Sequence, residues 1–110
     1  MARDDRFYIV LVTCGSAPEA RKIAETVVKK RLTACVSILA APVDSVYRWK
    51  GKLEKSRERL LIIKTSKTRV QVLEREVLRL HSYETPEFVA LAISGGSSKY
   101  LSWIAQSLTV

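Results

Sequence analysis

Two kinds of hydrophobic spacing alternate along the chain and predict a regular succession of strands and helices. Residues 7–13 are apolar at nearly every position and rich in β-branched and aromatic side chains, which is typical of a strand buried on both faces. From residue 20 to residue 28, apolar positions recur at helical spacing, and Lys, Arg and Glu fill the remaining positions. Ser16 and Glu19 stand three residues apart just before this pattern and predict a capping box.

The middle of the chain predicts a long β-hairpin. Residues 34–39 and 53–65 have strand character, residues 43–49 alternate loosely, and a turn signal is centred on Gly51. Pro42 marks a break, an edge position or a bulge in the first arm. Each arm could run to roughly 15 residues at ~3.3 Å each, so the tip is expected to extend beyond the body of the domain.

The last third of the chain predicts a second amphipathic helix over residues 70–80, a fourth strand over residues 87–93 and a short terminal helix. Thr68 with Gln71 is expected to cap the second helix, and Ser98 the last one. The element order, β-α-β-β-α-β with an added helix, predicts an α+β fold of the ferredoxin-like sandwich type. Right-handed crossovers place both long helices on one face of its sheet.

The other face of the sheet is expected to lack cover. Strands that are apolar throughout, such as residues 7–13 and 60–63, leave hydrophobic side chains on that face. An apolar patch of that kind usually marks an interface. Residues 1–110 are therefore expected to form a single domain that assembles into a homo-oligomer, with hairpins pairing between copies.

The same topology brings several reactive side chains to one edge of the sheet. Cys14 ends the first strand, and His81, Tyr83 and Glu84 follow the second helix, which ends at that edge. Thiolate, imidazole and carboxylate groups suit Cu or Zn, so Cys14, His81 and Glu84 are the candidate metal ligands. Three ligands are fewer than the usual four, so the metal is expected to be weakly bound and not required for folding. The alternative is structural, with Cys14 as a small buried apolar residue and His81 as a helix C-terminal residue favoured by the dipole.

Composition narrows the location and class of the protein. The chain has a formal net charge of +8, two cysteines, one Met and no Asn, and it is rich in Lys, Arg and Glu. Scarce thermolabile residues with abundant charge favour a thermostable protein. Two cysteines are too few for a disulfide scaffold, and every apolar run is too short to span a bilayer. A cytoplasmic protein without membrane contact is expected.

Nucleic-acid binding and catalysis are both disfavoured by the motifs. RNA-recognition domains of this topology carry stacking aromatics in the third strand, and residues 59–65 contain none. The basic residues of the hairpin are interspersed with Glu54 and Glu58, which indicates a solvated face. No triad order, nucleophile elbow or carboxylate pair is visible. The chain is expected to be non-enzymatic and to bind no nucleic acid.

Five segments follow one another along the chain in an order typical of one protein family: residues 34–36 (Ala-Cys-Val), 47–54 (Tyr-Arg-Trp-Lys-Gly-Lys-Leu-Glu), 63–65 (Ile-Lys-Thr), 81–87 (His-Ser-Tyr-Glu-Thr-Pro-Glu) and 100–104 (Tyr-Leu-Ser-Trp-Ile). Together they resemble the CutA family of divalent-cation tolerance proteins. This resemblance covers essentially the whole chain and implies a ferredoxin-like subunit in a homotrimer resembling that of the PII signalling proteins. It also implies a role in divalent cation tolerance with a link to copper, and it leaves any protein partner unidentified.

Two positions depart from the family pattern. Ser82 stands where the family typically has Pro, which is expected to loosen the turn after His81. Some bacterial members have a second histidine where this chain has Leu80. The metal-ligand roles implied by the resemblance therefore reach only Cys14 and His81, and Glu84 is added from this chain's own sequence.

An alternative function follows from the implied PII-like trimer. Trimers of that kind bind small molecules in clefts between subunits. A cleft lined by Trp49, Lys52, Lys64 or Tyr83 could take an anion, and the chain would then be an anion-sensing or small-molecule-sensing signalling trimer.

Overall fold

The computed structural model describes residues 6–109, and the elements in that range follow the order that the hydrophobic spacing predicts. They form an antiparallel sheet with three α-helices, which confirms the mixed α+β class. The elements are β1 (Phe7–Cys14), α1 (Ala17–Lys29), β2 (Cys35–Ile38), β3 (Val43–Trp49), β4 (Lys52–Ser66), α2 (Val70–Leu80), β5 (Val89–Ala92) and α3 (Ser98–Ser107).

Strand β4 organises the sheet. It is 15 residues long and pairs antiparallel with β1, β2 and β3, in the strand order β2-β4-β1-β5 with β3 on the outer part of β4. The predicted hairpin therefore has one continuous arm, but the other arm is split into β2 and β3 around Pro42. Proline lacks the N–H that a continuous ladder needs. The hairpin turn has positive φ at both Lys50 (51°) and Gly51 (80°), the conformation that matches the twist of paired strands.

The main core lies between one face of the sheet and helices α1 and α2. Alternate residues of β1 and β4 point into it and meet the apolar stripes of both helices. Each fully buried Val, Leu or Ile side chain contributes roughly 1.5–3 kcal/mol by leaving water. The fully buried members include Val10, Val12, Leu61, Ile63, Ile23, Val27, Leu73 and Val77.

The opposite face of the sheet is covered only in part. Helix α3 packs over one end of it, where Leu101 and Ile104 join Phe7 in a second small core. The remaining apolar side chains of this face are half-buried or exposed. The prediction that β1 is buried on both faces is therefore wrong for the single chain, because α1 and α2 cover one face of the sheet and α3 covers only one end of the other. We call this surface the open face; strand register and alternation place on it Ile9, Leu11, Leu60, Ile62, Val89 and Leu91.

Two helix caps differ from their predictions. Thr68 does not cap α2 with Gln71, because a 3₁₀ turn precedes the helix and the Thr68 hydroxyl pairs with Ser66 at 3.0 Å. The cap of α3 is Ser97 and not Ser98, since the Ser97 side chain accepts a hydrogen bond from the Tyr100 amide at 3.1 Å. The cap of α3 is a shift between two adjacent serines, which sequence spacing resolves poorly, whereas α2 has Arg69 at its N-cap position and no side-chain cap there.

A nearly buried carboxylate ties the two long helices together. Glu76 of α2 accepts hydrogen bonds from Arg79 on the same helix and from Lys30 at the end of α1. The Arg79 guanidinium, followed by the Lys30 ammonium, lowers the pKa of Glu76 from 4.5 to about 2. Because both donors favour the ionised carboxylate, this contact stabilises the fold only while Glu76 is charged.

Acid should remove this contribution in a defined range. The folded-state pKa lies below the ordinary value, so the stabilisation is complete above pH 4.5 and is lost as the pH falls toward about 2. Guanidinium unfolding across that range should show a smaller loss of stability in Glu76→Gln than in the wild type. Glu74→Gln, an exposed position on the same helix, should follow the wild type. Parallel losses in all three proteins would show that Glu76 does not carry the effect.

Candidate functional site

The turn after α2 is anchored by His81. Its side chain is fully buried, and Nε2 lies 2.7 Å from the carbonyl oxygen of Thr13 at the end of β1. A carbonyl can only accept, so Nε2 carries the hydrogen, and Nδ1 accepts from the Tyr83 amide at 3.1 Å. The end of α2 therefore meets the end of β1. This contact confirms the prediction that His81 and Cys14 lie at the same edge of the sheet.

Ser82 strengthens the turn that it was expected to loosen. Its amide and hydroxyl both donate to the Glu19 carboxylate, at 2.7 and 3.0 Å. Glu19 lies in the first turn of α1, where the helix dipole favours a negative charge, and its amide donates to the Ser16 side chain as the cap pattern predicts. The Glu19 side chain, however, reaches Ser82 and does not close the box. A proline at position 82 would lack the donating amide.

The three candidate metal ligands share this edge but do not form a ligand set within one chain. Both ring nitrogens of His81 are hydrogen-bonded, and Glu84 is exposed to solvent. Burial, followed by the charge of Glu19, raises the pKa of the Cys14 thiol to about 11, whereas a metal ligand must be a thiolate. Among residues 6–109, no group of three or more His, Cys, Asp or Glu is placed to hold a metal ion. The residues present therefore do not fit a closed Cu or Zn site.

The Tyr83 side chain leads from this turn to a second carboxylate. It passes directly over Gly15, where an added Cβ would lie 3.2 Å from the phenol oxygen. The phenol then donates a hydrogen bond of 2.8 Å to Oε2 of Glu58 on β4. Burial, and next this hydrogen bond to Glu58, raises the pKa of Tyr83, so the phenol keeps its proton and remains the donor.

Tyr83 and Glu58 form part of the wall of a cavity of about 430 Å³, which we call the Tyr83 pocket. Of the four predicted cleft residues, Tyr83 and Trp49 line it. Lys52 lies exposed at the hairpin tip, and the Lys64 ammonium donates to Ser37 at 2.8 Å, so neither reaches the pocket. The lining residues are Thr13, Ser45, Val46, Tyr47, Trp49, Glu58, Tyr83, Thr85 and Glu87.

The pocket is acidic although the chain carries a net charge of +8. Glu58 is only 6% exposed, and Glu87 lies on the same wall. Glu87 is an exposed residue, but partial burial of its carboxyl group, followed by the charge of Glu58, raises its pKa. Among the described residues, no Lys, Arg or His forms an ion pair with either carboxylate. The pocket therefore holds negative charge that this part of the chain does not neutralise.

Sequence reasoning missed both carboxylates. It placed Glu58 on a solvated face because basic residues surround it in the hairpin. Glu58 stands two residues before Leu60 and four before Ile62, so strand alternation puts its side chain on the same side of β4 as theirs. That spacing was the available signal. Glu87 carries no comparable signal, because its place depends on the loop between α2 and β5.

Comparison with known proteins identifies the family. The model of the CutA1 divalent ion tolerance protein matches residues 8–107. The chain belongs to this family. The divalent-cation tolerance protein CutA of Thermus thermophilus is 40% identical over 99 residues, which are 90% of this chain and 95% of that protein. The chloroplastic protein CutA of Arabidopsis thaliana is 41% identical over 99 residues, but the match spans only 54% of its length. This chain thus spans about half of the plant relative.

Solved CutA structures share the fold. CutA from Xylella fastidiosa superposes with a TM-score of 0.92 at 37% identity, covering 96% of this chain and all of the other. The periplasmic divalent cation tolerance protein CutA from Archaeoglobus fulgidus gives 0.90 at 34% identity, covering 94% and 99%. Within the described range, none of the CutA-like chain's helices has the length and apolar character to cross a bilayer.

Proposed function

We propose that this chain is a non-enzymatic, cation-binding homotrimer of divalent cation tolerance, and that cations enter the Tyr83 pocket. The observation that carries the proposal is the pair of carboxylates, Glu58 and Glu87, with no cationic partner among the described residues of a basic protein. The family model, which describes a divalent ion tolerance protein, supports the same chemistry. The strand order β2-β4-β1-β5 supports a ferredoxin-like subunit.

Assembly is supported by the open face. Leu91 is 49% exposed and Val89 is 44% exposed on that face, and contiguous apolar surface of this kind is normally covered in an oligomer. The number three comes from the resemblance to the PII-like trimers. Alternation places Glu58 on the same side of β4 as Leu60, so the Tyr83 pocket borders the open face. In a trimer that buries this face, the pocket would lie beside the boundary between copies.

In this proposal the divalent metal ion is cargo that the protein binds and releases, and not a resident cofactor. Two carboxylates supply oxygen ligands, but the usual coordination of a divalent ion needs at least four groups. Binding of Cu or Zn at Glu58 and Glu87 is therefore expected to be weak and exchangeable, and not required for folding. This replaces Cys14, His81 and Glu84, because Cys14 is protonated and His81 has no free ring nitrogen.

Two features of the Tyr83 pocket weigh against the anion-sensing and catalytic alternatives. The anion-sensing function needs a basic cleft, and Lys52 and Lys64 both lie outside the Tyr83 pocket. A catalytic role would need an activated group in the pocket, whereas Tyr83 holds its proton and serves as a donor to Glu58. The cytoplasmic location and high thermal stability stay predictions, since the relatives include proteins named as chloroplastic and as periplasmic.

Assembly through the open face is tested by sedimentation. Leu91→Glu puts a charge into the proposed interface and should shift a micromolar solution from trimer toward monomer, because burying an unpaired charge is costly. Leu78→Glu is the matched control, since Leu78 of α2 is similarly exposed (44%) but lies outside the open face. The control should remain trimeric. A wild-type monomer, or an unchanged trimer in Leu91→Glu, would contradict assembly through this face.

Cation binding is tested by calorimetry with Cu and Zn salts. Glu58→Gln and Glu87→Gln each remove one charged ligand and should weaken binding by about tenfold, equivalent to ~1.4 kcal/mol. Cys14→Ala should leave the affinity within about twofold, because the buried thiol is not a ligand in this proposal. An affinity that falls with Cys14→Ala and not with the two Gln variants would place the metal site at the sheet edge near Cys14 and not in the Tyr83 pocket. No binding to the wild type would remove the metal proposal.

A further inference from the structure

We propose that the Tyr83 pocket binds a small alkylammonium ion, with the ammonium group held by Glu58 and Glu87 and the alkyl chain packed against Tyr47 and Trp49. The inference deepens the proposed function, since it rests on cation binding in the same pocket. It names an organic cation as the ligand that the pocket fits better than a bare metal ion. The structural support for this ligand has three parts: an open carboxylate oxygen, aromatic walls and the size of the cavity.

The first part is the environment of the Glu58 carboxylate. Glu58 is more than nine-tenths buried. Within residues 6–109, the only hydrogen bond to its side chain is the one that Tyr83 donates to Oε2. The second oxygen has no donor among those residues, and Glu58 lines the cavity wall. This oxygen is open to the cavity, since Ser56 Oγ is the buried side-chain atom without a partner in this part of the chain. A carboxylate of such low overall exposure is stabilised by further donors and by a balancing positive charge. An ammonium ion carries three N–H donors and one positive charge, so it supplies both.

The second part is the aromatic wall. Tyr47, Trp49 and Tyr83 all line the pocket, and an aromatic face attracts a cation within about 6 Å of the ring centroid. The Trp49 ring already attracts one cation within the chain, since the Lys50 ammonium lies 5.7 Å from the ring centroid. An aromatic ring contributes to the binding of an organic cation but is not a ligand for Cu or Zn.

The third part is the size of the cavity. Its volume of about 430 Å³ lies in the range of pockets that hold small molecules, roughly 300–1,000 Å³. A single metal ion would fill little of it and would leave Val46 and the aromatic rings in water. An alkyl chain of a few carbons would cover those apolar groups while its charged end reaches the two carboxylates.

The test is calorimetry of the full chain in its native assembly, with n-butylammonium chloride as the probe. Two matched ligands separate the contributions: 1-butanol has the alkyl chain without the charge, and ammonium chloride has the charge without the chain. The proposal expects n-butylammonium to bind at least about tenfold more tightly than either. Equal binding of 1-butanol, or no binding of n-butylammonium, would overturn it whether or not any variant folds.

Variants then locate the site. Glu87→Gln should weaken n-butylammonium binding by about tenfold, while Glu84→Gln, an exposed carboxylate outside the pocket lining, should leave it unchanged. Trp49→Leu should weaken it by roughly threefold, as expected for one cation–π contact, and Trp103→Leu should not. Sedimentation checks that each variant keeps the wild-type assembly. Binding that is insensitive to both Glu87→Gln and Trp49→Leu would overturn the proposal.

The Cu and Zn titrations distinguish this inference from the function on which it rests. Trp49→Leu should reduce n-butylammonium affinity more than metal affinity, because indole attracts an organic cation but is not a metal ligand. Metal binding without n-butylammonium binding would overturn the inference and leave the proposed function in place. Binding of n-butylammonium without metal binding would overturn the proposed binding of divalent metal ions and leave the inference of an alkylammonium ligand in place.

Discussion

The alternation of side chains along β4 is the constraint from which the rest of the structure follows. A strand turns successive residues to opposite faces, so Leu61 and Ile63 enter the main core while Leu60 and Ile62 point to the open face. The same rule carries Glu58 to the side of the open face, at the point where β4 leaves β1 and continues into the hairpin. One strand thus sets the core, the proposed interface and the acidic pocket. A register slip of one residue would turn the core side chains of β4 to the open face and carry Glu58 to the side of the main core.

The only histidine of the chain has a structural part in this arrangement. By bonding the Thr13 carbonyl and the Tyr83 amide, His81 fixes the direction in which the chain leaves α2. Tyr83 can then cross Gly15 and reach Glu58. The residue most suggestive of metal binding in the sequence therefore positions a phenol, and the phenol positions a carboxylate. In this account the cation ligands are the carboxylate oxygens of Glu58 and Glu87, and not the ring nitrogens of His81.

Sequence patterns were sufficient for the order of the elements and for which residues share one edge of the sheet. Hydrophobic spacing gave the order of the elements, and topology placed His81 beside the end of β1. The pocket was not accessible in the same way, because Glu58 and Glu87 are 29 positions apart in the sequence and meet only through tertiary packing. Lys52 and Lys64 were assigned to a cleft by analogy with PII-like trimers. Each stands six positions from Glu58 along β4, which is too far for its side chain to reach the pocket within one chain. Ser82 was expected to loosen the turn because the family typically has Pro at this position. Its partner Glu19 is 63 positions away in the sequence, so spacing did not reveal the contact.

The central claim is that the Tyr83 pocket holds negative charge that a ligand must neutralise. The most direct measurement is a pH titration of the Glu87 side-chain carboxyl by carbon-detected NMR, in the presence and absence of n-butylammonium. The account predicts a pKa above the ordinary value of 4.5 in the free protein, since burial and Glu58 both oppose ionisation. It also predicts that this pKa falls when the ammonium ion binds. An ordinary Glu87 pKa that the ligand does not change would contradict the account.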